Sequence, residues 1–429
     1  MEILNRILYI VFALGIIIFI HEAGHLLMAR AFNIRVLAFS LGFGKRLWGF
    51  RRGETDYRVS LLPLGGYVKL GGELPGEQSD DPRDFLNRPR WQRVLVYLAG
   101  PLMNIVLSIA IITVLFTVGI SVPPRQQQPL VGYVLPGSPG ESAGLAVGDR
   151  ILKVAGEPIS EFQQFIMKTL ASPGKPLAVE VERGGEHREL TLTPLKIERY
   201  DLGEAGVLGP GKVMVDALVK GQPAEAAGFE PGDHILAVEG QSITTQDQFI
   251  SFIQDHPGEP VAVEVGRGSE RKTLTVTPAG PKGGAKIGVQ LDFGTFQRYP
   301  FGQAFVESLH YNADFVRQTF VVLGKIFKRE MAAKSALSGP IEMAKMASQQ
   351  AKRGFRYLFH LMAFISISIA ILNLLPIPIL DGGQIAILLV ESGIRRDLSA
   401  VLKERLAQAG GMVLLAIMAL VLFFDLQKL

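Results

Sequence analysis

Four long apolar stretches stand out in the pattern of hydrophobic and polar positions along the chain. They fall within residues 1–30, 94–124, 360–390 and 407–429. A helix that crosses a bilayer needs roughly 20 such residues at a rise of 1.5 Å each. The pattern therefore predicts four transmembrane helices. A cleaved signal peptide is the alternative for the first stretch, but Arg6 is its only early cation and Glu2 offsets that charge.

The distribution of cations predicts how the four helices are oriented. Twelve Lys and Arg residues lie from Arg30 to Arg93, and four more lie in the short loop of residues 391–406. Short loops rich in Lys and Arg stay on the cytoplasmic side of a membrane. We therefore expect residues 31–93 to form a cytoplasmic, membrane-associated loop. Both termini and the long middle segment then lie on the periplasmic side.

The middle segment contains an internal repeat with an offset of 84 residues. Residues 137–194 align without a gap with residues 221–278, and about half of the aligned residues are identical. Alternating runs predict strands in each copy, and a short amphipathic run predicts one helix. The shared elements E-x-A-G and G-D-x-I-L resemble those of the PDZ domain. That resemblance implies two α+β domains, each with a groove for an extended peptide or chain terminus. The alternative is that at least one copy only fills space.

A further helix is predicted between the repeat and the third apolar stretch. Apolar residues recur there at helical spacing, with charged residues between them, at positions that include Phe305, Leu309, Val316, Phe320 and Phe327. An amphipathic helix of this kind can lie on the membrane surface or on the repeated domains. Packing into a core is an equally open alternative.

Charge and composition narrow the classes of function. The chain has 44 Lys and Arg residues against 40 Asp and Glu residues, and the net charge of +4 is too small to indicate a nucleic-acid-binding surface. It contains no cysteine, which excludes disulfides, thiolate metal sites and cysteine nucleophiles. Any catalytic chemistry must therefore come from other residue types.

The first apolar stretch ends in the sequence His21-Glu22-Ala23-Gly24-His25. Residues four apart share one face of a helix, so both imidazoles can bind a single ion. Glu22 then lies beside them as a candidate general base rather than a ligand. Histidines placed at the headgroup boundary are the alternative, but ionisable residues within a span are costly and typically functional. A catalytic zinc site needs a third protein ligand from elsewhere in the chain.

The third apolar stretch contains a candidate for that ligand. Pro376 and Pro378 interrupt the stretch shortly before Asp381, and a broken helix is tolerated in a membrane only where its backbone is buried or lines a cavity. In the predicted topology the first and third helices run in the same direction. Asp381 and the two histidines then lie at similar depth, toward the cytoplasmic side. The alternative role for Asp381 is to cap the helical segment that begins at Gly382.

These motifs resemble those of the site-2 protease family of intramembrane zinc metalloproteases. The matching sequences are His21-Glu22-x-x-His25 and Asn373-x-x-Pro376-x-Pro378-x-Leu380-Asp381-Gly382. The resemblance implies one catalytic zinc ion bound by His21, His25 and Asp381, with Glu22 as the base. It also implies that Asn373 positions the substrate. Hydrogen bonding to a neighbouring helix is the alternative for that amide.

Two more segments are similar to the family. Residues 57–70 form two strand-like runs around a Pro-Leu-Gly-Gly turn, which is typical of a hairpin. In the family this region is a membrane-dipping β-loop that pairs with an extended substrate, which implies substrate contacts by Tyr67, Val68, Lys69 and Leu70. An ordinary cytoplasmic hairpin is the alternative. Residues 99–104 resemble the family's Gly-Pro-x-x-Asn element, in which we interpret Asn104 as packing or support for the site.

The predicted fold class is a multi-span α-helical membrane protein with four transmembrane helices and a membrane-associated β-hairpin. Two α+β PDZ-like domains are inserted between the second and third spans. The predicted segments are 1–30 (first span), 31–93 (loop with hairpin), 94–124 (second span), 125–208 and 209–292 (PDZ-like domains), 293–359 (amphipathic helical connector), 360–390 (third span), 391–406 (cytoplasmic loop) and 407–429 (fourth span).

The resemblance implies a protease of the bacterial inner membrane that cleaves transmembrane segments of single-span proteins. Its implied substrate is an anti-sigma factor of an envelope stress response after a first cut, together with remnant signal peptides. The implied partners are this substrate, the lipid bilayer and peptide termini at the PDZ-like domains. Two alternatives remain: a membrane-tethered PDZ scaffold or chaperone without protease activity, and a small transporter with broken helices.

Overall fold

A computed structural model describes residues 2–73, 79–122, 128–197, 202–209, 213–243, 246–267, 270–292, 295–328 and 339–427. The helices are α1 (Glu2–Ala31), α2 (Arg90–Val118), α3 (Pro139–Ser142), α4 (Phe162–Leu170), α5 (Pro223–Ala226), α6 (Gln246–Asp255), α7 (Phe301–Phe327), α8 (Pro340–Arg353), α9 (Phe355–Asn373), α10 (Asp381–Gly393) and α11 (Ala400–Gln427). The strands are β1 (Val36–Arg52), β2 (Thr55–Leu70), β3 (Ile120–Val122), β4 (Tyr133–Val134), β5 (Arg150–Val154), β6 (Glu157–Pro158), β7 (Leu177–Arg183), β8 (Glu186–Leu192), β9 (Leu195–Ile197), β10 (Leu202–Glu204), β11 (Val207–Leu208), β12 (Val213–Leu218), β13 (His234–Val238), β14 (Gln241–Ser242), β15 (Val261–Arg267), β16 (Glu270–Val276), β17 (Val289–Asp292) and β18 (Thr295–Gln297).

The chain divides into two compact units. The first comprises Met1–Val118, Tyr299–Val321 and Leu337–Leu429, and the second comprises Gly119–Arg298 and Val322–Ala336. Within the described residues, four helices are long and apolar enough to cross a membrane: Leu8–Ala31, Arg90–Val118, Phe355–Asn373 and Ala400–Gln427. All four belong to the first unit, which we call the helical unit.

The third apolar stretch is broken, as its two prolines predict. Helix α9 ends at Asn373 and α10 begins at Asp381, with a non-helical turn between them. Proline has no N–H to donate and its ring disfavours a helical conformation in the preceding residue, so Pro376 and Pro378 prevent a continuous helix. Gly382 and Gly383 let the turn fold back tightly, since a Cβ atom would lie 2.3 Å from the Leu374 carbonyl oxygen and 2.0 Å from that of Ile377 respectively.

The hairpin predicted within residues 57–70 is wrong, because its two runs both pair with β1 rather than with each other and the turn lies at residues 53–54. Strands β1 and β2 are long, and residues 38–41 of β1 pair both with residues 56–59 and with residues 66–69 of β2. Residues 46–52 pair with residues 55–60. Residues 38–41 therefore lie between two segments of β2, and residues 66–70 form an edge that pairs with another strand on one side only within the described sheet. On its other side, the Leu70 N–H donates to Glu73 Oε2 at 3.2 Å and the Val68 backbone hydrogen-bonds to Glu22, so a further strand would have to replace these side-chain contacts.

Helix α7 contacts α2 through buried polar residues. Ser308 and Asn312 are buried and hydrogen-bond to Thr113 and Ser108 of α2, at 2.9 and 2.6 Å. Phe320, by contrast, is 56% exposed. In lipid, apolar surface gains little by burial, so helices associate through small and polar residues. Three of the predicted apolar positions, Phe305, Leu309 and Phe320, are therefore exposed, while Phe315 packs against Phe364 of α9 at a centroid distance of 4.4 Å.

The second unit, which we call the β unit, repeats its elements with the 84-residue offset of the sequence. Strands β5, β7 and β8 recur as β13, β15 and β16 at equivalent positions, and α3 recurs as α5. The first copy has the sheet order β6-β5-β7-β8, and the second has β16-β15-β13-β12-β17. Each copy has its own apolar core, centred on Phe165 in one and Phe249 in the other. The repeat in the sequence is thus a repeat in structure.

One ion pair is also repeated in the two copies. Asp149 and Asp233 are fully buried, and each accepts hydrogen bonds from an arginine 34 residues later, Arg183 or Arg267, at 2.6 to 2.8 Å. Each buried carboxylate raises the pKa of its arginine because it favours the charged guanidinium. The Gly-Asp step of the sequence motif therefore fixes a turn beneath each sheet.

Candidate metal centre

Helix α1 brings the two histidines of the His-Glu-x-x-His motif together inside the helical unit. Their side chains lie on one face because they are four residues apart. The Nε2 atoms of His21 and His25 are 3.3 Å apart, and both residues are buried. Two adjacent imidazoles with their Nε2 atoms this close can act together as ligands of one metal ion.

Asp381 supplies a third donor from the broken helix. It is the first residue of α10, and its Oδ2 atom lies 3.3 Å from His21 Nε2 and 3.6 Å from His25 Nε2. The N-cap position of α10 is occupied by Leu380, so Asp381 is not the cap residue of this helix. Asp381 thus faces the histidines, which favours the predicted ligand role over the predicted alternative of a helix cap.

The three donor atoms fit a tetrahedral zinc ion. Zinc binds imidazole nitrogen and carboxylate oxygen at about 2.0–2.2 Å, so neighbouring donors in a tetrahedron are about 3.4 Å apart. The three donor separations here are 3.3, 3.3 and 3.6 Å. Among the described residues, His21, His25 and Asp381 form the group of His, Cys, Asp and Glu side chains that could hold a metal ion. Three ligands leave one tetrahedral position for water or substrate.

Two glycines at the contact of α1 and α2 make room for these side chains, and the sequence analysis did not identify their roles. A Cβ atom at Gly100 would lie 2.3 Å from His25 Nε2, and one at Gly24 would lie 2.3 Å from the carbonyl oxygen of Ala99. The close approach also brings the Val96 carbonyl oxygen within 2.8 Å of His25 Nδ1. When Nδ1 donates its proton to that carbonyl, Nε2 is left as the ligand atom.

Glu22 lies between the histidines and the edge of the β1–β2 sheet. Its side chain is half-buried and contacts the backbone of Val68. A Cβ atom at Gly66 would lie 3.0 Å from Glu22 Cγ, so the start of the edge at residues 66–70 passes directly beside this carboxylate. The glycine in the Gly-Gly turn is therefore needed for the approach. The arrangement places a candidate base at the outer edge of the sheet, where it hydrogen-bonds to the Val68 backbone.

The predicted substrate-contact residues on this edge differ in exposure. The side chain of Leu70 is buried in the core beneath the sheet, whereas that of Lys69 is exposed. Tyr67 stacks on Phe43 with a centroid distance of 6.0 Å, and its hydroxyl accepts a hydrogen bond from Arg58. What residues 66–70 share is their position on the outer edge of the sheet, where Val68 and Leu70 hydrogen-bond to the side chains of Glu22 and Glu73.

Two asparagines approach His21 from different helices. Asn373, the last residue of α9, has its Nδ2 atom 3.5 Å from His21 Nε2. Asn104 of α2 is fully buried and has its Nδ2 atom 3.3 Å from His21 Nδ1. Both residues that the sequence analysis associated with the site therefore lie at the histidine, one on each side of the ring.

The family model described as "Peptidase family M50" matches residues 9–418 of this chain. The chain belongs to peptidase family M50. This result confirms the site-2 protease family that the two motifs indicated in the sequence. The match covers the helical unit and the β unit alike, so the family assignment does not depend on the metal motif alone.

Relatives of this M50 peptidase match it over nearly their whole length. A Vibrio cholerae protein named "Putative zinc metalloprotease" is 30% identical over 466 residues and covers 100% of both chains. The "Regulator of sigma-E protease RseP" of Salmonella typhimurium is 29% identical over 456 residues, again with 100% of both chains. The Escherichia coli protein of that name is 29% identical over 444 residues and 97% of both chains.

Among solved structures, a PDZ domain of a Listeria monocytogenes protein covers 18% of this M50 peptidase and 85% of its own chain. It is 23% identical with a TM-score of 0.17. An overlap this weak does not identify the fold of either copy in the β unit. The PDZ-like character of the copies therefore remains a prediction from their sequence.

Proposed function

We propose that this M50 peptidase is an intramembrane zinc endopeptidase whose metal ligands are His21, His25 and Asp381. The observation that carries the proposal is the spacing of their three donor atoms, which matches the edges of a tetrahedron around zinc. The chain is a zinc metalloprotease of the site-2 type, and zinc is its cofactor. Family membership disfavours the alternative of a scaffold without protease activity.

When held by these three ligands, zinc would supply a Lewis acid for the scissile carbonyl and would lower the pKa of bound water to about 7. Glu22 then acts as the general base, because it lies beside the two ligands without being one of them. Its carboxylate accepts the proton of the attacking water and passes it to the leaving amine. The carbonyl of Val96 holds the proton of His25 on Nδ1, so that Nε2 remains a ligand during the reaction.

The edge at residues 66–70 is the proposed binding site for the extended substrate. Peptide bonds within a transmembrane helix are hydrogen-bonded and shielded, so a substrate has to unwind before cleavage. An unwound segment can add to a sheet edge by backbone hydrogen bonds. Pairing along residues 66–70 would run the substrate beside Glu22, since Val68 contacts that side chain. Asn373, close to His21, is the proposed contact for the substrate near the scissile bond.

The proposed substrate and the proposed role of the repeated domains rest on the predicted membrane topology. In this proposal the four long apolar helices cross the inner membrane with both termini and residues 125–292 on the periplasmic side, and the zinc lies toward the cytoplasm. The substrate is a single-span membrane protein of the anti-sigma type that a first protease has shortened. Relatives whose names state that they regulate sigma-E support this choice. The two PDZ-like domains bind peptide termini and screen substrates by the size of their periplasmic part.

The substitution Glu22→Gln tests the proposed chemistry. It keeps the size of the side chain but removes the base, so zinc should remain bound while cleavage of a membrane-spanning substrate falls by about 10²-fold or more. The purified protein in detergent allows zinc content and cleavage to be measured on one sample. Glu307→Gln, the same change in α7, is the matched control and should cleave normally. Retained turnover in the Glu22 variant would exclude this residue as the base.

A deletion tests the proposed role of the repeated domains. Removing residues 126–292 takes away both copies while leaving the helical unit, so the variant should cut a substrate that still carries its full periplasmic domain. Cleavage in cells is followed with untrimmed and pre-trimmed substrates side by side. If the variant cuts the trimmed substrate but leaves the untrimmed one intact, the domains do not screen by size.

A further inference from the structure

The two histidines of the metal centre differ in what holds their Nδ1 atoms. His25 Nδ1 donates to a backbone carbonyl, that of Val96, at 2.8 Å. His21 Nδ1 faces the side-chain amide of Asn104 at 3.3 Å. The amide belongs to a fully buried residue, and its oxygen, Oδ1, has no hydrogen-bond partner within the part of the chain that the structure describes. A buried amide oxygen without a partner is costly, so its orientation needs an explanation.

The chemistry of a metal-binding imidazole supplies that explanation. A neutral imidazole that offers Nε2 to a metal carries its proton on Nδ1, and this N–H needs an acceptor. The amide of asparagine has one acceptor, Oδ1, and its two ends have nearly the same shape. Rotating the Asn104 amide by half a turn would place Oδ1 opposite His21 Nδ1. That rotation satisfies the imidazole proton and the amide oxygen at once.

We propose that Asn104 is a positioning residue that accepts the Nδ1 proton of His21 and thereby holds Nε2 toward the zinc. It acts on the metal only through His21, and this inference rests on the proposed ligand role of that residue. A backbone carbonyl already performs the same task for His25. In this proposal the Asn104 amide oxygen does for His21 what the Val96 carbonyl oxygen does for His25. Val96 and Asn104 lie about two helical turns apart on α2.

The position of Asn104 is itself fixed from a third helix. Ser366 of α9 is fully buried and donates a hydrogen bond from Oγ to the backbone carbonyl of Asn104 at 2.9 Å. Gly100, one turn earlier on α2, keeps the helix in contact with both imidazoles. The amide therefore approaches His21 from a backbone that is held on two sides. Such support for a metal-binding histidine is typically worth 10- to 100-fold in metal affinity.

Three substitutions at Asn104 separate hydrogen bonding from packing. Asn104→Leu keeps the branched shape of the side chain and removes the acceptor, so zinc affinity should fall 10- to 100-fold. Asn104→Asp retains an acceptor oxygen and should bind zinc at least as tightly as the parent protein. Asn104→Ala removes the acceptor without adding bulk. Its zinc affinity can be compared with that of the parent protein if the leucine variant does not fold. Affinity is measured on the full-length protein in detergent by competition with a zinc chelator, so the readout does not depend on proteolysis.

Thr113→Val is the matched control on the same helix. It removes a buried hydroxyl that bonds to Ser308 but lies away from the metal centre, so zinc affinity should stay at the parent value. Unchanged affinity in the leucine or alanine variant would overturn the proposal, as would an aspartate variant that binds zinc as weakly as they do. His21→Ala is measured separately: if it binds zinc like the parent, the proposed centre itself is wrong, whatever the Asn104 series shows.

Discussion

The contact between α1 and α2 predicts that a single added methyl group at Gly100 disrupts the metal centre. A Cβ atom at this position would lie 2.3 Å from His25 Nε2, 2.6 Å from His25 Cε1 and 2.9 Å from His21 Cε1. Ordinary contacts begin at about 3.4 Å. The His25 ring would therefore have to retreat by about 1 Å, and the neighbouring His21 ring by about half that distance.

A displacement of this size exceeds what the centre can accommodate. Metal–ligand distances in proteins stay within about 0.2 Å of their ideal values. We therefore expect Gly100→Ala to weaken zinc binding by at least the 10- to 100-fold that loss of a supporting contact costs. Misplacement of reacting groups by 1 Å costs about 10²-fold in rate as well. The assay is chelator competition for zinc affinity, followed by cleavage of a membrane-spanning substrate at saturating zinc.

Gly15→Ala is the matched control because it makes the same change in α1. A Cβ atom at Gly15 meets nothing within 4 Å, and alanine favours a helix over glycine by about 1 kcal/mol. That variant should bind zinc normally and be at least as stable as the parent. If Gly100→Ala bound zinc with the affinity of Gly15→Ala, the histidines would not be held against α2 as the structure indicates. The proposed geometry of the centre would then be wrong.

Two further predictions concern buried carboxylates away from the metal. Asp149→Ala should lower the stability of the first repeated copy by about 2–4 kcal/mol, because it removes the carboxylate that accepts hydrogen bonds from Arg183 and from a backbone N–H. Limited proteolysis should then cut this copy faster than in the parent protein. Asp233→Ala should have the same effect on the second copy. The pKa of Asp84 is lowered chiefly by the Ser79 hydroxyl, so its stabilisation is present above about pH 4 and is lost as the pH falls through the lowered value. The midpoint of thermal unfolding should therefore be lower for Asp84→Asn than for the parent at neutral pH, and this difference should disappear in acid. A difference that did not change with pH would contradict this reasoning.

The sequence predicted the features of this protein that depend on local spacing. A four-residue interval on a helix places His21 beside His25, and two prolines break the third apolar stretch before Asp381. The 84-residue repeat predicted two equivalent sets of strands and helices, because similar local patterns fold into similar elements. Helical spacing and the effect of proline depend on a few neighbouring residues, and the repeat is found by comparing one segment with another. Neither kind of inference requires knowing which distant segments of the chain are in contact.

The sequence did not predict features that depend on how distant segments meet. The hairpin pattern of residues 57–70 did not reveal that residues 38–41 pair on both sides, because a pleated strand looks the same whether one edge or both are used. The apolar spacing of α7 predicted an amphipathic helix, yet its buried contacts use Ser308 and Asn312. In lipid, apolar side chains can face outward because their surroundings are apolar too, and polar side chains face the neighbouring helix. This is the reverse of the arrangement in a water-soluble protein.

Gly100 and Asn104 of α2 show why the proposed metal ligands are easier to predict than the residues proposed to support them. A ligand must be one of a few residue types, so His21 and Asp381 stand out in an apolar stretch. A support can be a carbonyl, as at Val96, or simply the absence of a side chain, as at Gly100. Backbone carbonyls occur at every residue and glycine is common in membrane helices, so neither carries a signal in the sequence. Asn104 falls between these cases: its amide is visible in the sequence, but its task is defined only by the 3.3 Å that separates it from His21.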